Sequence, residues 1–277
     1  MEVKITTLSE NTANHGFLAE WGLSILIEVD KMRILVDTGM SFSAAHNSQL
    51  LGIDLATIDR IVLSHGHRDH TGGLHKMLRV MRREVEIIAH PDVWSAKYTR
   101  HDEKKEQYSG IPFCRETLES LGARFNLTKK PIHITEHVLT TGEIPTLSDY
   151  EGIEDNLLVR EDGVLHPDPL ADDLALIIDT SFGLVVISGC AHRGIVNTLR
   201  HAQKLTGGKA VYAVIGGTHL YRAKKDRVTR TIVDLRDMGI KKLGVSHCTG
   251  FYAAAKLAEE FEGIFFLNNA GTRLTLP

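Results

Sequence analysis

Little in this chain ties it to an oxidising compartment, a membrane or a nucleic acid. Its 277 residues include three cysteines, Cys114, Cys190 and Cys248. An odd, scattered set of that kind excludes a disulfide framework and fits a reducing cytoplasm. The opening stretch, MEVKITTLSE, has no basic region followed by an apolar run, so no signal peptide is read there. No apolar run is long enough to span a bilayer. A net charge of −3 leaves no polybasic footprint for a membrane surface or a nucleic acid. Strong linkers, low-complexity tracts and repeats of fixed period are also missing. What is present is ordinary globular material, 43% hydrophobic and 24% charged, with enough apolar residues for a sizeable core. Histidine is the abundant residue, 15 in all, and its placement matters more than its number.

Apolar runs bounded by turn residues predict strands at Leu23–Val29, Arg33–Val36, Arg60–Leu63, Val85–Ala89, Leu174–Ile178, Leu184–Ile187, Val211–Ile215 and Leu243–Val245. Helical spacing predicts helices at Leu74–Arg83, Gly194–Leu205, Ala223–Met238 and Tyr252–Phe261. Strands come first, and strands alternate with helices in the second half, which favours an α/β architecture of sheets covered by helices. The least regular stretch is Lys97–Pro145, with the charged RHDEKKEQYSGIPF at its start. Two readings fit it: a solvated surface loop, or a lid inserted around 97–145 that folds Ile111 and Phe113 inward. The rest of 1–277 reads as a single domain.

The chemistry is concentrated in Ser64–Leu74, SHGHRDHTGGL, where three histidines and an aspartate fall within six residues. A buried-type strand precedes it and a helix follows, so the loop sits at a strand's carboxyl end, where α/β folds place ligands. His65 and His67, two apart in extended backbone, point to one side and can reach one ion. Asp69 and His70 follow as the chain turns, and can face a second ion. Imidazole combined with carboxylate suits zinc, iron or manganese better than calcium, which prefers oxygen shells. Three later histidines each lie just past a predicted strand: His192 in SGCAH, His219 in GGTHL and His247 in SHCTG. All fall on the same strand-end side as the first motif.

The motifs ILVDTG, SHGHRDH, SGCAH and SHC occur in an order that resembles the metallo-β-lactamase superfamily. That resemblance implies an αββα sandwich of two stacked mixed β-sheets flanked by helices, with one or two divalent metal ions at one edge. Zinc is the first expectation, with manganese, iron and magnesium as further fits. By the same resemblance His65, His67 and His192 hold the first metal, and Asp69, His70 and His247 the second. Asp37 matches the acid that normally orients the histidine loop. One departure stands out. No carboxylate closes the Val211–Ile215 strand, where the superfamily usually supplies an aspartate bridging both metals. His219 stands there instead, as a substitute ligand, a substrate contact or a hydrogen-bonding neighbour. Asp168, Asp172 and Asp173 are spare carboxylates, of which Asp173 is the best placed to approach the site.

A narrower set, AEWGLSILIE, HGHRDHTGGL, TTGEIP, DDLALII, GCAHRGIVN, GGTHL and HCTG, resembles a subgroup found in archaea and anaerobic bacteria. It includes the dihydropterin–ribofuranosylaminobenzene-phosphate synthase of methanopterin biosynthesis. The implied reaction condenses a dihydropterin diphosphate with an aminobenzene ribofuranosyl phosphate, the metals holding the leaving group. The alternatives are a hydrolase of a phosphorylated or ester small molecule acting through hydroxide generated on the metal, and a metal-binding sensor without turnover. Asp69 and His219 are the candidate catalytic groups. Thr249 and Gly250 at a helix start, with Arg193, Asn197 and Asp173, are the candidate substrate contacts. A helix start attracts phosphate, although Thr249 as an ordinary cap and Arg193 as a solvated cation are the competing readings. Cys190 and Cys248 flank presumed ligands and read either as thiolate ligands or as small packing residues. The expected partner is a phosphorylated small molecule rather than a nucleic acid or membrane, and a homo-oligomer is compatible with the sequence.

Overall fold

The computed structural model describes residues 1–100 and 105–276. Two sheets stack face to face. The first has seven strands in the order Arg273–Leu276, Val3–Ser9, Ser24–Val29, Met32–Val36, Arg60–Val62, Val85–Ala89 and Ala123–Leu127. The second has six: Phe265–Leu267, Lys242–Ser246, Val211–Gly217, Gly183–Ser188, Ala175–Thr180 and Val138–Thr140. Both are mixed. Antiparallel pairing dominates where hairpins connect neighbours, and parallel pairing runs from Met32–Val36 through Ala123–Leu127 and from Gly183–Ser188 through Phe265–Leu267.

Strand alternation explains the layers. Ile25 and Ile27 face the inter-sheet core with Val185, Ile187, Leu176 and Ile178, while the alternate residues Leu26, Leu184, Val186 and Ile177 face outward. Because both faces are apolar, each sheet needs a second cover, and the helices supply it. Helices Ser43–Leu50, Leu74–Met81 and Arg115–Ser120 lie over the first sheet. Helices Ile195–Leu205, Lys225–Asp237 and Phe251–Glu260 lie over the second. Truncating an inter-sheet residue such as Ile187 to alanine removes packing worth roughly 2–5 kcal/mol. This is the expected αββα sandwich. Among the described residues, no helix is long and apolar enough to cross a membrane.

The stretch 97–145 divides between several places. Ala123–Leu127 and Val138–Thr140 complete the edges of the two main sheets, and Ile111 is buried with Phe113 packed beside it under the first sheet's helices. Ala96–Thr99 and Gln107–Tyr108 belong to a small four-stranded antiparallel sheet with Leu157–Glu161 and Val164–Pro167. Residues 101–104 of that stretch lie outside the described residues. The small sheet stands beside the strand ends where the histidines gather.

Candidate metal centre and its cavity

Strand Arg60–Val62 ends one residue before the signature loop. After a bend at Gly66, His67 is extended at φ −69°, ψ 146°, and Arg68–Thr71 then form a single helical turn. The loop is pinned from outside. Asp172 accepts the Gly66 N–H at 2.8 Å, and the Leu174 N–H donates to the Ser64 carbonyl at 2.9 Å. Gly66 passes so close to residue 93 that a Cβ would stand 2.3 Å from the Val93 carbonyl oxygen, so no side chain fits there.

The six side chains gather in two adjacent groups of three. His65 Nε2 lies 2.9 Å from His67 Nδ1, and His192 Nε2 lies 3.2 Å from each of them. Beside this triangle, His247 Nε2 lies 3.2 Å from His70 Nε2 and 3.1 Å from Asp69 Oδ2. The ring centroids of His65 and His70, one from each group, are 4.3 Å apart. Every one of these side chains except Asp69 is buried.

The hydrogen bonds behind the rings determine what the converging nitrogens carry. Asp37 is wholly buried and accepts from the Ser64 N–H, the Ser64 hydroxyl and His70 Nδ1–H at 2.6–2.7 Å. Because the Ser64 hydroxyl gives its hydrogen to Asp37, it accepts from His65 Nδ1–H at 2.9 Å. His247 Nδ1–H donates to Asn11 Oδ1 at 2.9 Å. Each outer N–H therefore turns an Nε2 lone pair inward. Three ring nitrogens converge to within 2.9–3.2 Å, and the far nitrogens of His67 and His192 are buried without a partner among the described residues. A tetrahedral zinc with Zn–N of about 2.0–2.1 Å spaces its nitrogens by roughly 3.3 Å. The donor set fits divalent metal.

Charge divides the two groups. Burial, reinforced by the neighbouring imidazoles, holds His65 and His192 well below the ordinary histidine range, and burial takes His67 down to about 3. Burial keeps these three imidazoles neutral. In the other group burial also opposes charge, but Asp37 and Asp69 override it and raise His70 to about 9. Asp69 is likewise held below the usual carboxylate range, against its burial, by His70 and His247. The mixed group thus draws positive charge to itself.

Above the two groups opens a cavity of about 540 Å³, an ordinary size for a small-molecule site. His67, Asp69, Cys190, His192, His219 and His247 form its floor. His219 stands 4.0 Å, centroid to centroid, from His192 and contacts Glu154 Oε2 through Nε2 at 2.8 Å. Burial works against its charge, but the Cys248 sulfur and Glu154 raise it to about 10. The walls carry Trp21, Tyr108 and Tyr221 together with Arg68 and Arg222. Trp21 Nε1–H donates to Asp69 Oδ2 at 3.0 Å, and its ring meets Tyr221 edge-on at 6.1 Å.

None of the expected substrate contacts Thr249, Gly250, Arg193, Asn197 and Asp173 lines this cavity, and each is occupied elsewhere. Thr249 is buried and accepts from the Thr218 hydroxyl at 3.0 Å. Gly250 is roofed by Tyr221, whose Cα would be 2.8 Å from a Cβ at that position. The Arg193 guanidinium donates to the Ile144 and Pro169 carbonyls. The Asn197 side chain accepts the N–H groups of Leu147 and Ser148. Its helix start is already filled by Glu151, which accepts from the Val196 and Asn197 N–H groups at 2.9 and 2.7 Å. Asp173 is buried with Oδ2 on the Arg193 N–H. Sequence reasoning in turn overlooked Lys97, which is buried and ion-paired to Asp168 and Asp172 at 2.9 and 2.8 Å. Those aspartates brace the loop from behind; they are not solvated.

Fold and site together define an αββα sandwich with a candidate centre for divalent metal, and residues 22–247 match the metallo-beta-lactamase superfamily. The chain belongs to that superfamily. It is 38% identical to 7,8-dihydropterin-6-methyl-4-(beta-D-ribofuranosyl)-aminobenzene-5'-phosphate synthase of Methanocaldococcus jannaschii, across 97% of this chain and 95% of that one. An uncharacterized protein of the same archaeon is 33% identical over 92% of this chain and 94% of its own length. A crystal structure described as Tm1679, a metal-dependent hydrolase of the beta-lactamase superfamily, superposes with a TM-score of 0.86 at 26% identity over 98% of both chains.

Proposed function

We propose that the protein is a metal-dependent transferase that condenses a dihydropterin diphosphate with an aminobenzene ribofuranosyl phosphate, or catalyses a close relative of that reaction. The observation that carries this reading is the 38% identity to the synthase over nearly the whole of both chains. The cavity supports it. Trp21, Tyr108 and Tyr221 offer ring faces and edges for a flat heteroaromatic compound. Arg68 and Arg222 are exposed at the cavity and form no ion pair among the described residues, which leaves two guanidinium groups for phosphate oxygens.

In the bond-forming step the aryl amine nitrogen attacks the pterin methylene carbon. The C–N bond forms as the C–O bond to diphosphate breaks, and one N–H proton is lost. His65, His67 and His192, with Asp69, His70 and His247, would hold divalent metal, which when bound would supply Lewis acidity toward the diphosphate leaving group. Zinc best suits a donor set dominated by imidazole. The walls hold both substrates and keep water from the methylene carbon. Asp69 and His219 line the floor as the groups that hold or move a proton.

The test is a mass-spectrometric product assay on metal-loaded protein with hydroxymethyl-dihydropterin diphosphate, with and without ribofuranosylaminobenzene phosphate. A condensed product, lost in His67→Ala, is expected. Diphosphate release without coupling supports instead the hydrolase reading that the Tm1679 likeness favours. Unchanged substrates in both tubes sink the synthase reading.

A further inference from the structure

The two groups of ligands are not separate. One atom belongs to both: the Cys190 sulfur is within 4.8 Å of the ligand atoms of His65 and His192, and within 4.8 Å of those of His70 and His247. It stands 3.1 Å from His70 Nε2. Cys190 is buried yet borders the cavity floor. The strand that lacks a closing carboxylate runs directly behind it, and a Cβ on Gly217 would come 3.2 Å from the Cys190 Cα. On the other side, a Cβ on Gly189 would stand 2.0 Å from the Ser64 hydroxyl oxygen and 2.9 Å from Asp37 Oδ2. Glycine at both positions thus lets the Cys190 turn press against the histidine loop.

We propose that Cys190, as a thiolate, is the shared ligand between the two metal positions, standing where a bridging carboxylate would otherwise be required. This rests on the two-metal reading of the site. The charge count favours it: Asp69 brings one carboxylate to the second group, Glu154 approaches only His192 of the first group, alongside His219, and a thiolate adds negative charge where two divalent cations would meet five imidazoles. On metal binding the S–H bond breaks, its proton passes to water, and the sulfur lone pairs form the two metal–sulfur bonds. Cys248 stands apart from both groups: its sulfur lies 3.3 Å from the Cys190 carbonyl oxygen, and it gathers with Cys190 and His219.

Cobalt(II) substitution tests this in the full chain, with Cys114→Ser as the parent because Cys114 is an exposed thiol. The parent and its Cys248→Ser variant are expected to show an intense near-ultraviolet sulfur-to-cobalt charge-transfer band. Cys190→Ser should lose that band, with bound cobalt falling from two ions per chain toward one. Cys190→Asp should regain the second ion without the band, which separates loss of a ligand from misfolding. A band that survives in Cys190→Ser, or cobalt bound by the parent with no band, overturns the assignment. Failure of the parent to bind cobalt at all overturns the two-metal reading itself.

Discussion

The floor and the walls of the cavity are built on opposite principles. The floor is largely buried and its side chains converge on each other, and hydrogen bonds from behind, through Asp37, Ser64 and Asn11, fix His70, His65 and His247. The walls are exposed side chains with few fixed partners. Trp21 is 48% and Tyr221 60% exposed, and Arg222 is exposed at the rim. A floor of this kind sets what chemistry is available, whereas walls of this kind set which molecule receives it.

Substitutions can separate the two. The largest effect is expected from Lys97→Met, behind the floor. Removing the cation leaves Asp168 and Asp172 buried and uncompensated, so chemical denaturation should register a loss of about 3–5 kcal/mol. Metal content should fall with it, because Asp172 also holds the Gly66 N–H. A loss under about 1 kcal/mol would mean that the brace is dispensable. Next comes Arg222→Ala in the wall. It should raise KM for the phosphorylated substrate about tenfold, the worth of one charge-assisted contact of roughly 1.5 kcal/mol, with metal content and melting temperature unchanged. An equal fall in metal content would erase the distinction between wall and floor. The smallest effect is expected from Arg193→Ala, a residue beside His192 that belongs to neither. Its carbonyl contacts predict a stability loss of about 1 kcal/mol and an unchanged KM in the same assay.

The convergence of the candidate ligands was legible in the sequence for a local reason. Four of them lie in six consecutive residues, and Asp37, His192 and His247 each follow a recognisable apolar strand. Strand ends of parallel sheets lie together in space, so position in the chain translated into position in the site. The walls and braces were not legible because long-range pairing makes them. Lys97 meets partners 71 and 75 residues away, and Glu154 meets His219 at a separation of 65. Glu151 caps a helix that starts more than forty residues later, a contact that local spacing does not reveal. Strand Val3–Ser9, VKITTLS, was overlooked because its threonines and serine are buried between paired neighbours instead of alternating with apolar residues.

Whether the inward lone pairs hold metal is tested most directly by anomalous diffraction at the zinc edge from crystals grown with zinc. The floor geometry predicts one peak among His65 Nε2, His67 Nδ1 and His192 Nε2, and a second among Asp69 Oδ2, His70 Nε2 and His247 Nε2. A map without a peak at either position, in crystals whose zinc binds elsewhere on the protein, would contradict it.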